Sequence, residues 1–317
     1  MAPRSAAPSA GRADAWSDPA AHENRFVHVN GVRLNYLDWG GSGPALIFLH
    51  GAGSNPHYFD DLAPAFTGRF RVLAYARRGH ARSEAKGPYD TATLTEDLRG
   101  LMDAVGISKA HLAGHSMGGN EITRFAGTYP DRVDRLVYLD AAYDMGDPAF
   151  LTAMRPMPSF MRAGTPASAL VSLDAYRARC AAQLPGVRDT GGFEAWIRED
   201  VEARPDGTVR LKEFEGVSPA FMAALTEPRD YTRVRAPALV VYSASFGNTH
   251  HGDPAEVAAT LEWNQRYVAP LRAAAEERVR RELHDVKVLH VPGTHDDLVF
   301  TCRKQLVAAM GQFLRLK

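Results

Sequence analysis

A serine between glycines, in the stretch LAGHSMGGNE (residues 112–121), is the first feature of the sequence whose residue types could do chemistry. Gly114, Ser116 and Gly118 form the pattern G-x-S-x-G, which follows a short apolar run and precedes a stretch of helical character. A nucleophile held on a sharp strand-to-helix turn has an unfavourable backbone conformation, and side chains two residues away on either side would collide. The two glycines are what such a turn needs, so the pattern predicts that Ser116 is a nucleophile.

Two further stretches carry groups that a nucleophilic serine requires. His295, in VPGTHDDLVF, follows the last predicted strand, which places it at the sheet edge where ligands bind in open α/β proteins. There it would take the Ser116 proton and return it to the leaving group. The backbone N–H of Met117 points at the space above the serine, and FLHGAG (residues 48–53) offers a second amide at Ala52. These two amides are the predicted oxyanion donors.

A parallel sheet must position these groups, and the pattern of apolar runs predicts one. Residues 26–40 alternate in polarity about Asn30-Gly31, which is typical of a β-hairpin. Short apolar runs then alternate with helical stretches, which predicts a doubly wound, mostly parallel α/β sheet. The predicted strands are residues 45–50, 70–76, 110–114, 135–140, 237–243 and 286–291, and the predicted helices are 55–68, 91–106, the stretch after Ser116, and 301–315.

The alternation stops after Asp140 and resumes at residue 237. Residues 145–232 hold helical segments rich in Pro, Met, Arg and Ala, with no clear strand. We therefore expect a helical cap inserted between two consecutive strands of one sheet. The predicted organisation is a flexible N-terminal tail (1–24), an α/β core (25–144 and 233–317) and this cap (145–232).

Charge and composition argue against several classes of function. Lys plus Arg (37) equals Asp plus Glu (37), so no net field attracts the chain to nucleic acid, and no apolar run is long enough for a membrane span. The tail lacks the apolar centre of a secretory signal, and Cys180 and Cys302 lie far apart, so we expect a reduced, cytoplasmic protein. Apart from His250 and His251 near Asp253, nothing suggests a metal, and we expect neither metal nor cofactor.

The motifs HGAG, GHSMGG and GTH, together with RRGHARS (residues 77–83), resemble those of serine hydrolases of the α/β-hydrolase fold. The resemblance runs from about residue 26 to the C-terminus, the cap excepted. Ala76 and Ala81 depart from it, since aspartate and glycine are usual there. It implies a capped, carboxylesterase-like enzyme that cleaves small to medium apolar esters through an acyl-enzyme. Lactonases, C–C bond hydrolases and perhydrolases share this triad, some proteins of the fold are ligand receptors, and dehalogenases and epoxide hydrolases need aspartate at position 116.

The resemblance also implies an acid that orients the histidine. In much of the family it follows the strand matched here by ALVVYS (residues 238–243), but no carboxylate occurs there before Asp253. Asp253 and Glu256 form a good helix start around a proline, so Asp253 is occupied as a cap. Some branches place the acid after the preceding strand, where this chain has Asp140. Asp140 is the expected acid, with Asp144 and Asp253 as alternatives.

Substrate contacts are expected from the cap and from the residue before the serine. The first part of the cap is rich in Met and Phe, which suits either an adaptable apolar pocket for a small ester or the cap's own core. The candidate pocket residues are His115, Met154, Met157 and Phe160. The stretch 254–283, which Pro270 should divide into two helices, is a second pocket wall or the interface of a homodimer.

Overall fold

A computed structural model describes residues 16–184, 187, 191–212, 217–249 and 252–315. The described strands form one large sheet and one two-stranded ribbon. They are β1 (Glu23–Val29), β2 (Val32–Gly40), β3 (Ala45–Leu49), β4 (Arg71–Tyr75), β5 (Ala110–His115), β6 (Val133–Leu139), β7 (Val201–Ala203), β8 (Val209–Leu211), β9 (Ala238–Tyr242) and β10 (Val286–His290). Among the described helices, none has the length and apolar content that crossing a bilayer requires.

The large sheet has the order β1-β2-β4-β3-β5-β6-β9-β10. β1 and β2 pair as the predicted hairpin around Asn30-Gly31, and β2 runs antiparallel to β4. All other neighbours are parallel. The strand order reverses between β3 and β4, so the crossovers place helices on both faces, as a doubly wound sheet requires. The predicted fold class is confirmed.

The helices cover both faces of this sheet and give it two apolar clusters. They are α1 (Thr91–Ala104), α2 (Gly118–Thr128), α3 (Pro148–Met154), α4 (Ser159–Arg162), α5 (Leu173–Gln183), α6 (Gly191–Asp200), α7 (Val217–Leu225), α8 (Pro254–Trp263), α9 (Ala269–Glu282), α10 (Leu298–Thr301) and α11 (Arg303–Arg315). Neighbouring residues of β3 contribute to opposite clusters: Ile47 packs with Leu101 and Phe125, whereas Phe48 packs with Phe59 and Met310. Burial on both faces explains why β3 reads as a continuous apolar run.

The segment between β6 and β9 contains α3 to α7 and has its own small apolar cluster around Phe193 and Ile197. We refer to residues 145–232 as the cap. No clear strand is evident there from the sequence, but β7 and β8, both within the cap, pair antiparallel. Each ribbon strand has three residues, which is too short for a polarity pattern to identify. The two cysteines, Cys180 in this cap and Cys302 in the core, are both free and buried.

Three predicted elements differ from the structure. The helix expected over 55–68 is two single 3₁₀ turns, Pro56–Phe59 and Ala63–Phe66, because Pro64 cannot donate a helical hydrogen bond and interrupts the segment. The stretch 254–283 does divide in two, but at a π-helical turn, Asn264–Val268, with Pro270 in the first turn of α9. β1 begins at Glu23, inside the segment predicted as tail.

Candidate active site

Ser116 lies in the turn between β5 and α2, with a left-handed backbone (φ 51°) that non-glycine residues rarely adopt. The glycines around it allow this turn. A Cβ on Gly114 would lie 2.5 Å from the carbonyl oxygen of Gly118, and a Cβ on Gly118 would lie 2.5 Å from that of Leu49. Both distances are shorter than any van der Waals contact, so only glycines at these two positions allow the turn that holds the half-buried serine at the strand end.

His295 follows β10 and faces the serine, with 3.1 Å between its Nε2 and the Ser116 Oγ. Its backbone N–H donates to the carbonyl of Ser245, which ties the histidine loop to the segment after β9. Its ring stacks on Phe246, with ring centroids 4.7 Å apart and planes 25° from parallel. The backbone hydrogen bond and the ring contact together fix the orientation of the His295 imidazole.

Asp140, the first residue after β6, holds the other side of the histidine. Its Oδ2 accepts a hydrogen bond from His295 Nδ1 at 2.7 Å and one from Ser243 Oγ at 2.7 Å. Its Oδ1 accepts from the Ser243 N–H at 2.9 Å and from the Tyr143 hydroxyl at 3.1 Å. Its φ of 46° turns the chain sharply at the strand end, a conformation that aspartate tolerates better than most residues. The structure thus brings Ser116, His295 and Asp140 together.

The two alternative acids are engaged elsewhere. Asp144 forms an ion pair with Arg278 of α9. Asp253 accepts a hydrogen bond from the N–H of Ala255 and caps α8, the role that its sequence context favours. Among the described residues, Asp140 forms a hydrogen bond to the imidazole of His295, and Asp144 and Asp253 do not.

Burial and the contacts between Asp140 and His295 have opposite effects on the pKa of each residue. Burial opposes ionisation of Asp140, but hydrogen bonds from His295 and Ser243 outweigh it and lower the pKa of the carboxyl. Burial also opposes a charge on His295, but the Asp140 carboxylate outweighs it and raises the pKa of the imidazole. An ionised aspartate thus makes the histidine a stronger proton acceptor.

The amides expected to hold an oxyanion belong to segments on either side of the serine. Met117 opens α2 directly after Ser116, and its own side chain is fully buried against Leu94 and Phe221. Ala52 lies in the loop after β3, where a Cβ on Gly51 would be 3.1 Å from the Ser116 Cβ. This glycine lets the loop backbone lie directly against the serine.

A buried arginine that the sequence analysis did not single out supports that loop. Arg77, from the RRGHARS motif, is 1% exposed. Its guanidinium donates to Gly51 O at 3.0 Å and to the carbonyl of His50, and its Nε donates to Glu121 at 2.8 Å. Glu121 is buried in the first turn of α2, and its pairing with Arg77 joins residues far apart in the sequence, which no local pattern reveals.

Ser116 opens into a cavity of about 580 Å³ between the core and the cap. Its apolar lining residues are Phe160, Met161, Leu184, Trp196 and Val257, and its charged lining residues are Arg179, Glu256 and Asp296. His115 and Phe160 lie in it as expected. Met154 and Met157 do not line this cavity: α3 ends at Met154, which packs against the core, and Phe160 and Met161 of the next helix line the cavity.

His115 also contacts the loop that carries His295. Its Nε2 donates to the carbonyl oxygen of His295 at 2.8 Å, and its ring stacks on Tyr58. Burial lowers the pKa of His115 to about 3, so the ring is neutral. His250 and His251, considered above as possible metal ligands, lie outside the described residues.

Comparison with known proteins agrees with this architecture. Residues 44–184 match the family model of the alpha/beta hydrolase fold. The 2-(acetamidomethylene)succinate hydrolase of Mesorhizobium japonicum is 27% identical over 197 residues, 62% of this chain and 62% of that protein. The 2-hydroxy-6-oxo-6-phenylhexa-2,4-dienoate hydrolase of Burkholderia cepacia is 33% identical over 126 residues, 37% of this chain and 44% of that protein. The match thus spans less than two thirds of either relative.

A solved structure extends the match to most of the chain. The crystal structure of E-2-(acetamidomethylene)succinate hydrolase superposes with a TM-score of 0.70 at 22% identity, covering 93% of this chain and all of that one. The described residues therefore have the α/β-hydrolase fold, and residues 44–184 match the family model of that fold.

Proposed function

We propose that this protein is a serine hydrolase that cleaves small to medium apolar carboxylic esters through an acyl-enzyme intermediate. The observation that carries the proposal is the hydrogen-bonded chain from Asp140 through His295 to Ser116, whose serine end opens into the cavity. A serine, a histidine and an aspartate in this order form the nucleophile, base and orienting acid of acyl transfer.

Each residue has a defined step in this reaction. Ser116 Oγ attacks the ester carbonyl carbon while His295 Nε2 takes its proton, and the amides of Ala52 and Met117 stabilise the oxyanion. The imidazolium, stabilised by Asp140, then gives its proton to the departing alcohol, which leaves an acyl-serine. A water molecule that loses its proton to the same imidazole hydrolyses the acyl-serine and returns the acid and the free serine.

The walls of the cavity support an apolar acyl group. Its volume of about 580 Å³ lies within the range of about 300–1,000 Å³ that is usual for small-ligand sites. Phe160, Met161 and Trp196 give it flexible and aromatic surfaces suited to a neutral chain. Two acidic side chains, Glu256 and Asp296, line the same space and disfavour a substrate of high negative charge.

A second candidate is a hydrolase of a carboxylic acid substrate. Arg179 of the cap also lines the cavity, where it bonds to Gln183 at 2.7 Å and offers a cation to a carboxylate. The names of the two sequence relatives, a succinate-derivative hydrolase and a dienoate hydrolase, describe acids. Under this alternative, Arg179→Gln should weaken turnover of p-nitrophenyl hydrogen succinate and leave p-nitrophenyl butyrate unaffected.

The test is hydrolysis of p-nitrophenyl esters from acetate to laurate by wild type, Ser116→Ala and Ser108→Ala. Ser108 is exposed in the turn before β5, so its variant is the matched control. We expect turnover with a chain-length optimum that only Ser116→Ala abolishes. Equal turnover in Ser116→Ala would refute the proposal. Saturable ligand binding that survives this substitution, without turnover of any ester, would indicate a receptor instead.

A further inference from the structure

Four side chains that take no part in the proposed reaction at Ser116 form a compact group: Asp18, His22, His57 and Asp60. We call this group the N-terminal His/Asp cluster. His22 Nε2 lies 3.1 Å from Asp18 Oδ2 and 3.4 Å from Asp60 Oδ1. His57 Nδ1 lies 2.8 Å from Asp60 Oδ2 and 3.6 Å from Asp18 Oδ2. Nitrogen and oxygen donors thus alternate around a closed ring, and all four lie within 4.8 Å of one another.

His57 and Asp60 are buried, Asp18 is partly exposed, and part of the cluster has no hydrogen-bond partner. The side chains of His22 and Asp60 are 3% and 1% exposed. Among the described residues, neither ring nitrogen of His22 nor Oδ1 of Asp60 makes a hydrogen bond. Nε2 is therefore close to two carboxylates but aligned with neither. A ring nitrogen that lies near two carboxylates without a hydrogen bond to either is in a position that a shared cation could occupy.

The donor spacing matches tetrahedral coordination. Zinc–nitrogen and zinc–oxygen bonds of about 2.0–2.2 Å place neighbouring donors about 3.3–3.6 Å apart. Three of the four neighbouring distances in the ring, 3.1, 3.4 and 3.6 Å, lie at or near this range. The fourth, the 2.8 Å contact of His57 with Asp60, is a hydrogen bond that an ion would replace.

The charges also fit a dication. The carboxylates of Asp60, which is buried, and Asp18, which is partly exposed, would balance either two imidazolium charges or one divalent ion.

A solvent-accessible cavity of about 400 Å³ borders Asp18, His22 and His57 and gives an ion a path of entry. Of the basic side chains that line it, Arg82 and Lys212 both pair with Glu199 rather than with the cluster.

We propose that the N-terminal His/Asp cluster binds one divalent transition-metal ion, with zinc as the best match for two imidazole nitrogens and two carboxylate oxygens. The ion fastens the segment before β1, which supplies Asp18 and His22, to the 3₁₀ turn that supplies His57 and Asp60. Two carboxylates without nitrogen ligands would favour calcium or magnesium, and the two histidines shift the preference to zinc.

The ion would also steady a part of the active site. Tyr58 lies within the fastened turn, stacks on His115 and donates to the carbonyl oxygen of Asp296 at 3.2 Å. Asp296 directly follows His295. Metal binding therefore strengthens the support of the histidine loop without placing the ion in the reaction.

The test uses full-length protein stripped with a chelator, dialysed against zinc and analysed for bound metal. His22→Gln and Asp60→Asn remove ligands, and His28→Gln, an exposed histidine in β1, is the matched control. We expect one zinc ion per chain in wild type and control, and at least about 10-fold weaker binding in the ligand variants, since loss even of an outer-shell partner can have that effect. With zinc at 100 times the wild-type Kd, Tm should rise by roughly 4 °C in wild type and in His28→Gln, and by about half of that or less in the ligand variants.

Cobalt substitution provides an independent readout, because tetrahedral Co²⁺ absorbs strongly in the visible range and octahedral Co²⁺ does not. If His22→Gln does not fold, Asp18→Asn replaces the most exposed ligand, and the metal content and cobalt spectrum of that variant decide the question. Absence of stoichiometric zinc in wild type would overturn the proposal. So would equal zinc binding by wild type and ligand variants, which would place the metal elsewhere, for example at His250 and His251.

Discussion

Replacing Asp140 by asparagine tests the central assignment, because the carboxylate accepts hydrogen bonds on both oxygens. Oδ1 accepts from the backbone N–H of Ser243, a donor that cannot be reversed. Oδ2 accepts from His295 Nδ1 and Ser243 Oγ. Asparagine keeps one oxygen, and the fixed backbone donor will hold it at the Oδ1 position. The new NH₂ group then faces His295 Nδ1.

An NH₂ group in this position can bond to His295 only if Nδ1 carries no proton. The imidazole proton then moves to Nε2, the atom that must accept the proton of Ser116 at 3.1 Å. Loss of the correct tautomer in a serine–histidine–aspartate site lowers kcat about 10⁴-fold. At about 1.36 kcal/mol per factor of ten, this loss corresponds to about 5 kcal/mol of transition-state stabilisation.

The assay is hydrolysis of the best p-nitrophenyl ester by Asp140→Asn, with circular dichroism to show that the variant is folded. Asp144→Asn and Asp253→Asn are matched controls, since Asp144 pairs with Arg278 and asparagine can still cap α8 at position 253. We expect both controls to keep most of the wild-type kcat. A folded Asp140→Asn with near wild-type turnover, or a control with a loss as large as that expected for Asp140→Asn, would refute the reasoning.

Three further predictions concern other groups. The pKa of His295 is raised and its neutral form must accept the serine proton, so kcat/KM should fall on the acid side through a pKa above the usual 6.5; a profile without that limb would contradict it. Gly114→Ala should lower the free energy of unfolding by at least about 2 kcal/mol, because the added Cβ lies 2.5 Å from a carbonyl oxygen; an unchanged urea midpoint would show that the turn has room. Burial raises the pKa of Asp200 to about 7 although Asn55 donates to it at 2.7 Å, so the stability it contributes is present at low pH and is lost as pH rises through about 7. Asp200→Asn should therefore raise Tm over wild type at pH 8 and much less at pH 4.5; an equal difference at both would argue against this titration.

Local steric rules explain why much of the fold was predictable from the sequence. The hairpin around Asn30-Gly31 follows from two residues that tolerate the left-handed conformation, and both have positive φ in the structure. The turn at Ser116 needs glycines within two residues of it, and the apolar runs of the parallel strands reflect burial on both faces. Each of these signals is contained in fewer than ten consecutive residues.

Contacts between distant segments could not be read in this way. Ser243 holds Asp140 across 103 residues, and Arg77 meets Glu121 across 44. Neither pair has a local pattern, because pairing depends on the order of strands in the sheet. The orientation of Met154 toward the core is not evident from the sequence for a similar reason, since apolar residues on short cap helices do not show whether they face the core or the cavity.

Because Asp140 follows β6, the acid and one wall of the cavity come from different segments of the chain. The segment between β9 and α8 contributes Ser243 and Phe246 to the support of the histidine, and beyond them Gly247, Gly252 and Val257 line the cavity. No member of the Ser–His–Asp chain lies in residues 247–257. Gly247 and Gly252 have positive φ and resist substitution. Glu256 and Val257, which also line the cavity, can change and reshape its wall without altering the Ser–His–Asp chain, which makes them the natural positions for engineering a new selectivity.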